Sequence, residues 1–359
     1  MPQGADETAR LRAERLRRVG AGHEVPEYED GWPVNAHAHE AELCDCSPLL
    51  ADPPALRRHA ERRGWLYFAR LLPDAAVAAL RSDLLGVAAR HGWLADGEAL
   101  DDAVPREGRF ECEQVGSPAF RAYYADVQAL RSFHALPHHP ELLSALRALF
   151  ACEHPFVHPR HIGHTVFPGG HQYTTPPHQD WHPVRGTPQT WTAWLPLGAV
   201  PHEMGGLQVH DGSHLLGLYC GHEDDSFVRS GVALPGSAGW LGRSTFHCGD
   251  VLLFHSLTAH RAAHNTSDGR APGDDTSPSP RVGDNPGRIR LALSARYQHP
   301  EEPIDAAALT PHMGWSDWDD IYKGWAEGDR LKRYWEQGQG SPPTVGREEA
   351  LQLLPAPRL

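Results

Sequence analysis

The chain has 359 residues, of which 40% are hydrophobic, and a formal net charge of −13. This length suits one enlarged domain with a sizeable core, so disorder of the whole chain is not expected. The acidic balance disfavours nucleic acid as a partner, because phosphate binding needs a basic face. The chain has no apolar run long enough for a membrane span and no secretory signal, and its 6 scattered cysteines predict reduced thiols in a cytoplasmic protein.

The first part of the chain is expected to be an arm followed by a helical region. Residues 1–52 are polar and irregular and predict a partly flexible N-terminal arm. The folded part is expected to begin near Pro53, with a helix over 56–63 and a strand over 65–68. A second helix is predicted to start at Pro73-Asp74, because apolar residues then recur at helical spacing up to Gly92.

Two more helical patterns lie around 119–133 and 140–150, and then the hydrophobic period changes. Short β-rich runs separated by Gly, Pro and Asp follow at 156–167, 190–197, 206–210, 250–257 and 289–298. Helices followed by many short strands predict an α+β chain whose catalytic part is a β-sandwich or jelly roll. The domain is expected to span 53–300, with the acidic Pro/Gly/Ser stretch 268–287 as a mobile insertion.

The last segment, 301–359, is expected to be a helical extension rich in aromatic residues. Trp315, Trp318, Tyr322 and Trp325 recur at helical spacing, which predicts an amphipathic helix packed on the core. A lid over the substrate is the alternative.

A candidate metal site combines two segments that are far apart in sequence. In PPHQDWHP, His178 and Asp180 are separated by one residue and would project to the same side of an extended segment. The segment GDVLLFHSLTAH predicts a strand that ends in His260, 80 residues after Asp180. Two histidines and one carboxylate on one face of an octahedral ion leave three positions open, which is the geometry of Fe(II) oxygenases.

An arginine that follows the last candidate ligand adds to this interpretation. Arg290 begins the run RIRLALSARY, whose alternating pattern predicts a half-buried strand. A buried arginine there would hold a carboxylate through two parallel hydrogen bonds. The stretch HEMGGLQVHDGSH (202–214) adds a strand that turns through glycine.

Over roughly residues 54–298 the chain resembles the phytanoyl-CoA dioxygenase family. The matching pieces are RRHAERRGWLYFARLLPDAAVAALR, the HQD triplet, TAWLPLGAV with MGGLQVHDGSH, GDVLLFHSLTAH with Asn265, and RLALSARY. The resemblance implies a double-stranded β-helix (a jelly-roll, cupin-like core) with flanking helices, and Fe(II), 2-oxoglutarate and O2 as cofactor and co-substrates.

Carried over residue by residue, the resemblance makes His178, Asp180 and His260 the iron ligands and catalytic residues. It makes Arg290 the 2-oxoglutarate clamp, with Thr192 and Trp194 lining the co-substrate pocket. It implies hydroxylation of an unactivated C–H bond in a small-molecule substrate, with release of succinate and CO2. Desaturation, epimerisation and oxidative cyclisation would use the same ligands, and a non-catalytic β-sandwich that binds a small molecule is an alternative of another class.

The chain departs from the family pattern after its last ligand. Arg261 and Ala262 stand where the family often has a glycine and then a serine. The family's arginine follows the last histidine by about a dozen residues, whereas Arg290 follows it by 30. Arg270 stands at the usual distance but precedes no strand pattern, so Arg290 is preferred, with Arg288 third.

Several other residues near the motifs are candidates for a functional role. His255 and His264 flank His260; a packed role is expected for His255, and a turn position for His264. Trp181, His182 and Arg185 are expected to be solvated loop residues more often than substrate contacts. Arg160, His161 and His164, on the preceding strand, are further candidates without a preferred member.

A rival metal site lies near the start of the chain, in NAHAHEAELCDC. His37, His39, Cys44 and Cys46 are four possible zinc ligands there. Their spacing matches no common zinc module, and a solvated N-terminal arm is the plain alternative.

Overall fold

A long central strand organises the antiparallel sheet that carries much of the candidate site. The computed structural model describes residues 41–106, 115–169, 175, 177–218, 240–269, 287–336 and 341–354. The strand Arg290–Gln298 pairs antiparallel with three other strands, and every one of its residues is buried. Its side chains therefore pack on both faces of the sheet. One face is directed toward the helices and the other toward the second sheet.

The strands of the described residues are short apart from this one. In chain order they are β1 Ala41–Glu42, β2 Trp65–Phe68, β3 Phe156–Val157, β4 Ile162–Val166, β5 Trp191–Pro196, β6 Val200–Pro201, β7 Leu207–His210, β8 Trp240–Gly242, β9 Thr245–Phe246, β10 Val251–His255, β11 His260–Ala262, β12 Arg290–Gln298, β13 Ile304–Asp305 and β14 Thr344–Val345.

These strands form two main sheets. The larger has the order β2-β10-β5-β12-β3, with β4 also paired to β12, and all of its pairs are antiparallel. The smaller has the order β1-β8-β7-β11, in which only β1 and β8 are parallel. The predicted α+β class is confirmed, and the pairs in both sheets are antiparallel apart from β1 with β8. Two further pairs, β6 with β9 and β13 with β14, lie outside these sheets.

Most predicted helices are present, and local chemistry explains their ends. The α-helices are α1 Pro53–Arg63, α2 Asp74–Arg90, α3 Pro118–Ala129, α4 Arg131–Ala135, α5 Pro140–Phe150, α6 Trp181–Val184, α7 Trp318–Tyr322 and α8 Arg347–Gln352. Helix α1 begins where the Asp52 carboxylate accepts a hydrogen bond from the Ala55 amide, and it ends at Gly64 with φ +74°. The predicted stripe of α2 is buried as expected.

The N-terminal helices lie close to the outer face of the larger sheet. Gly163 on β4 permits this approach, because a Cβ atom at this position would lie 3.3 Å from Phe133 and 3.4 Å from Val127. The neighbouring His164 points to the opposite face, since side chains alternate along a strand. The sheet therefore has a helix-covered face and a face directed toward the candidate site.

Residues 41–52 differ from the sequence expectation of a polar arm that precedes the folded part. Strand β1 pairs with β8, and Leu43 and Cys46 are fully buried in the main hydrophobic core. The Cys46 amide donates to the Tyr67 carbonyl at 2.7 Å. The packed part thus begins before Pro53, because these few apolar residues cover the edge of the smaller sheet. Residues 1–40 lie outside the described residues.

The C-terminal segment packs on the core but is not one long helix. Only Trp318–Tyr322 is α-helical in the predicted aromatic stripe, and His312–Gly314 forms a 3-10 turn in which Met313 has φ +67°. The aromatic residues Trp318, Tyr322 and Trp335 nevertheless form a buried cluster with Phe156 of β3. The burial of these aromatic rings, rather than a continuous helix, holds the segment against the core. No helix of the described ranges has the length and apolar character needed to cross a membrane.

Candidate metal centre

Two histidines that are distant in sequence meet through their own backbones. The His178 amide donates to the His260 carbonyl at 3.0 Å, and the His260 amide donates to the His178 carbonyl at 2.9 Å. This reciprocal pair is an isolated antiparallel bridge, which places opposite residues close together. The ring centroids of the two histidines lie 4.0 Å apart. The expected strand ending at His260 is displaced: β10 ends at His255, and His260 opens β11 after a turn.

Asp180 completes a group of three ligand atoms. Its Oδ1 lies 3.7 Å from His178 Nε2 and 3.7 Å from His260 Nε2. The three atoms lie within 4.8 Å of one another, a spacing that one ion with bonds of about 2 Å can bridge. The expected extended geometry at Asp180 is wrong: φ −68° and ψ −21° are helical, and the residue precedes α6. A turn therefore brings the carboxylate beside the two imidazoles.

The second carboxylate oxygen of Asp180 is already engaged. Thr192 Oγ1 donates to Asp180 Oδ2 at 2.6 Å, and Arg296 Nη2 donates to the same oxygen at 3.3 Å. Burial alone would raise the pKa of Asp180, but Arg296, His260, His178 and the Thr192 hydroxyl together lower it. The carboxylate is therefore ionised, with Oδ1 directed toward the histidines.

The imidazole of His260 is held in the tautomer that a metal ligand needs. Its Nδ1 donates to the Thr258 carbonyl at 3.0 Å, so that Nε2 carries the lone pair facing Asp180. Burial lowers the pKa of His260, although Asp180 opposes this shift. A neutral imidazole with Nε2 exposed to the cluster is the form that coordinates a cation.

Arg290 lies on the same face of β12 as Arg296, is buried, and has no acidic partner among the described residues. Only 4% of the residue is exposed, its Nη1 donates to the Ala263 carbonyl at 3.3 Å, and its Nε has no hydrogen-bond partner in the described chain. Burial lowers its pKa to about 10, so that it stays cationic at neutral pH. Buried cations without a counterion are costly, and an anionic ligand would remove that cost.

His164 lies between the two buried arginines of this face. Positions 290, 292, 294 and 296 alternate along β12, and His164 stands opposite Ala292. Its Nε2 lies 2.9 Å from Ser294 Oγ. Burial and the two arginines lower the pKa of His164 to about 3, so it is neutral.

The structure also shows where other candidate residues from the sequence lie. Trp194 shares the face of Thr192 and packs its ring against Phe246, with centroids 4.9 Å apart. His255 lies outside the group of three ligands; its ring contacts Trp191 and His214, which confirms the expected packed role. Trp181 is not a solvated loop residue: it is buried, and it packs with Leu257 and Ala350.

The other arginine candidates either lack the buried position of Arg290 or lie outside the described residues. Arg288 is more than half exposed and lies 3.4 Å from Asp102, away from an enclosed site. Arg270 lies outside the described residues, as do His37 and His39. Arg261 donates to Gln208 and stacks over Trp240, so it supports strand pairing between β7 and β11.

Arg296 is the site residue that sequence reasoning missed. The motif RLALSARY contains it, and it stands six positions after Arg290 on the same face of one strand. A period of two applied along the whole of β12 would have placed both arginines on the inner face. The register with β5, which sets Arg296 opposite Thr192, was not readable from the sequence.

The fold and the metal-ligand group define an α+β protein with two imidazole nitrogens and one carboxylate oxygen at a buried centre. A family model described as phytanoyl-CoA dioxygenase (PhyH) matches residues 60–273, which is 214 of the 359 residues. The chain belongs to this family. It is an enzyme, an Fe(II)/2-oxoglutarate-dependent dioxygenase, as the motifs predicted.

Two curated relatives and one solved structure are similar to the chain. The chain is 27% identical over 284 residues to 1-deoxypentalenic acid 11-beta-hydroxylase of Streptomyces exfoliatus, covering 76% of this chain and 90% of the relative. The Streptomyces arenae enzyme of the same name is 26% identical with the same coverage. A solved structure of the epimerase SnoN with Fe3+, alpha ketoglutarate and nogalamycin RO is 18% identical, covers 69% of this chain and 84% of its own, and has a TM-score of 0.44.

Proposed function

We propose that His178, Asp180 and His260 bind Fe(II) through Nε2, Oδ1 and Nε2. The donor set fits this ion, since two imidazoles and one carboxylate with open positions are typical of non-haem Fe(II) oxygenases. Thr192 and Arg296 hold the other oxygen of Asp180. These contacts favour binding of the metal through one carboxylate oxygen and leave more of the coordination sphere for co-substrates.

Arg290 is proposed to bind the distal carboxylate of 2-oxoglutarate. The supporting observation is its burial without an acidic partner among the described residues, on the same strand face as Arg296 beside Asp180. A guanidinium forms paired hydrogen bonds to a carboxylate. Thr192 and Trp194 remain predicted contributors to the pocket, and Thr192 also contacts Asp180 directly.

The two main sheets are proposed to be the halves of a double-stranded β-helix. The larger sheet carries Thr192, Arg290 and Arg296, and the smaller carries His260 on β11. The reciprocal bridge between His178 and His260 then lies where the two sheets face each other. The proposed oxygenase domain covers 53–300 together with residues 41–52, and 301–359 is the packed extension.

The reaction we propose is hydroxylation of an unactivated C–H bond in a small-molecule metabolite. Fe(II) and 2-oxoglutarate, when bound, would supply the oxidising chemistry with O2, and succinate and CO2 would be the by-products. The chain's own part is to hold the ligands, bind the co-substrate carboxylate and exclude water from a centre whose three ligands are each less than 8% exposed. The observation that carries the proposal is the convergence of three ligand atoms, together with a buried arginine that has no acidic partner among the described residues.

An anaerobic titration tests the proposed ligands and clamp. The protein with Fe(II) should develop a weak visible charge-transfer band as 2-oxoglutarate is added, and Arg290→Gln should need at least tenfold more 2-oxoglutarate. Arg288→Gln is the matched control, because that side chain lies two positions away at the surface. Absence of the band in the wild type, or an unchanged titration in Arg290→Gln, would contradict the proposal.

The type of oxidation is tested by product mass. With a panel of small-molecule substrates, succinate formation together with a product 16 mass units heavier would support hydroxylation. A product 2 mass units lighter would indicate desaturation or oxidative cyclisation on the same centre, and an unchanged mass with inverted configuration would indicate epimerisation. The cytoplasmic location and the absence of nucleic-acid partners stay predictions from the sequence.

A further inference from the structure

A second group of metal-binding side chains lies near the start of the described chain, on different elements from the iron site. Cys44, Cys46 and His59 each offer one ligand atom, and these atoms lie within 4.8 Å of one another. Neither cysteine is in a disulfide. Cys46 Sγ lies 3.7 Å from His59 Nε2. Two ligands around a tetrahedral zinc, with bonds of about 2.3 Å to sulfur and 2.0 Å to nitrogen, are separated by roughly 3.6 Å.

The backbone fixes both thiols on one side. Asp45 forms a parallel bridge with Tyr67, and the Cys46 amide donates to the Tyr67 carbonyl at 2.7 Å. The bridge holds Asp45 in place, and the sulfur atoms of Cys44 and Cys46 on either side of it lie within 4.8 Å of each other. The Asp45 carboxylate is turned elsewhere, accepting hydrogen bonds from the Ser47 and Ala69 amides.

The third side chain comes from a well-anchored helix. His59 lies on α1, and its ring makes an edge contact with Trp65, with centroids 5.0 Å apart. Cys46 is fully buried, whereas Cys44 and His59 are half-buried. The cluster therefore has a protected interior and an outer side through which an ion and a water ligand can enter.

The donor atoms suit a soft cation. Thiolate with imidazole selects Zn(II) rather than the hard ions that oxygen ligands prefer.

We propose that Cys44, Cys46 and His59 form a Zn(II) site, with its fourth position open to water, that fastens the N-terminal segment to helix α1. The sequence expectation of a zinc site had the two cysteines but chose His37 and His39 instead of His59. Only the fold reveals His59, because it lies 13 residues beyond Cys46 on another element. Strand β1, next to the cluster, is the edge of the sheet whose opposite edge is β11.

Cobalt substitution tests this site separately from the iron centre. The reduced, chelator-treated full-length protein is titrated with Co(II), and thiolate-to-cobalt absorption in the near ultraviolet is expected. The His178, Asp180 and His260 centre has no sulfur and cannot produce this band, so the outcome does not depend on the oxygenase proposal. Added Zn(II) should displace the band, and metal analysis should find zinc in protein grown with zinc.

Variants make the test specific. Cys44→Ser and His59→Gln change half-buried positions and should each weaken Co(II) binding at least roughly 100-fold, since even loss of outer contacts costs 10–100-fold. Cys152→Ser, which changes another half-buried free cysteine, should bind as the wild type does. The proposal is overturned if the wild type shows no thiolate band, or if the band survives in both Cys44→Ser and His59→Gln.

Discussion

At the residue scale, the Thr192 hydroxyl is proposed to orient the carboxylate of Asp180, one of the proposed metal ligands. Its hydroxyl donates to Asp180 Oδ2 at 2.6 Å inside a site from which water is largely excluded. Thr192→Val keeps the side-chain shape but removes the donor, so Fe(II) affinity should fall about 10–100-fold. Thr192→Ser keeps the hydroxyl and serves as the control. Anaerobic Fe(II) binding measures the effect; equal affinity in Val and wild-type proteins would argue against this role.

A second residue-scale prediction concerns the positive charge of Arg296. It donates to the same carboxylate oxygen and is 5% exposed. Arg296→Met should leave Asp180 with a higher pKa, since Arg296 is the largest influence that lowers it. Fe(II) binding should then weaken more steeply at acidic pH than in the wild type. A pH series of Fe(II) titrations measures this; parallel profiles for the two proteins would contradict it.

At the element scale, the turn before β7 supports the strand that carries His260. Gly205 has φ +70°, and a Cβ there would collide with the carbonyl oxygens of Ala263 and His264. Gly205→Ala should therefore destabilise the fold by about 2 kcal/mol or more, through both strain and collision. Gly212→Ala is the matched control, since φ is +66° but the nearest atom lies 3.7 Å away.

Urea unfolding of the two glycine variants separates the causes. Gly212→Ala reports backbone strain alone, and Gly205→Ala should lose more free energy of unfolding and also Fe(II) affinity. Equal losses in both variants would show that the close approach to β11 is unimportant.

The C-terminal helix α8 packs against the residue that follows Asp180. Ala350 on α8 is fully buried against Trp181 and Leu257, and Trp181 directly follows Asp180. Ala350→Leu should overpack this contact and cost about 1–3 kcal/mol. Glu348→Leu, at an exposed position of the same helix, should change little. Thermal unfolding measures both, and equal melting temperatures would refute the proposed packing role.

How far the sequence predicts these elements depends on whether a pattern is local. Helix α2 was readable because Val77, Leu80, Leu84 and Val87 are spaced at the helical period, and all four are buried. Strand β11 was not readable, because His260–Ala262 is three residues long and owes its existence to pairing with β7. The candidate ligand triplet was predicted from the HQD spacing and from motif resemblance, whereas the hydrogen bonds of Thr192 and Arg296 depend on sheet register.

At the scale of the whole molecule, buried histidines predict how stability depends on pH. Burial lowers the pKa of His134 to about 4 and of His158, His255 and His312 to about 3. In the unfolded chain their pKa is near 6.5. The unfolded state therefore binds more protons below pH 6.5, and stability falls as pH drops from about 6.5 toward 4.

The expected slope is up to about 1.4 kcal/mol per pH unit for each such histidine. Urea unfolding at several pH values measures it. His134→Phe should reduce the slope, because this ring is buried between Phe133, His161 and Trp325 and a phenyl ring cannot be protonated. A free energy of unfolding that stays constant between pH 6.5 and 4.5 would contradict the prediction.

The two backbone hydrogen bonds exchanged between His178 and His260 join the two proposed ligands through the main chain as well as through any shared ion. Removal of the ion should therefore leave this main-chain bridge intact. The amide protons of these two residues should consequently exchange with deuterium at similar slow rates whether the centre is loaded or stripped.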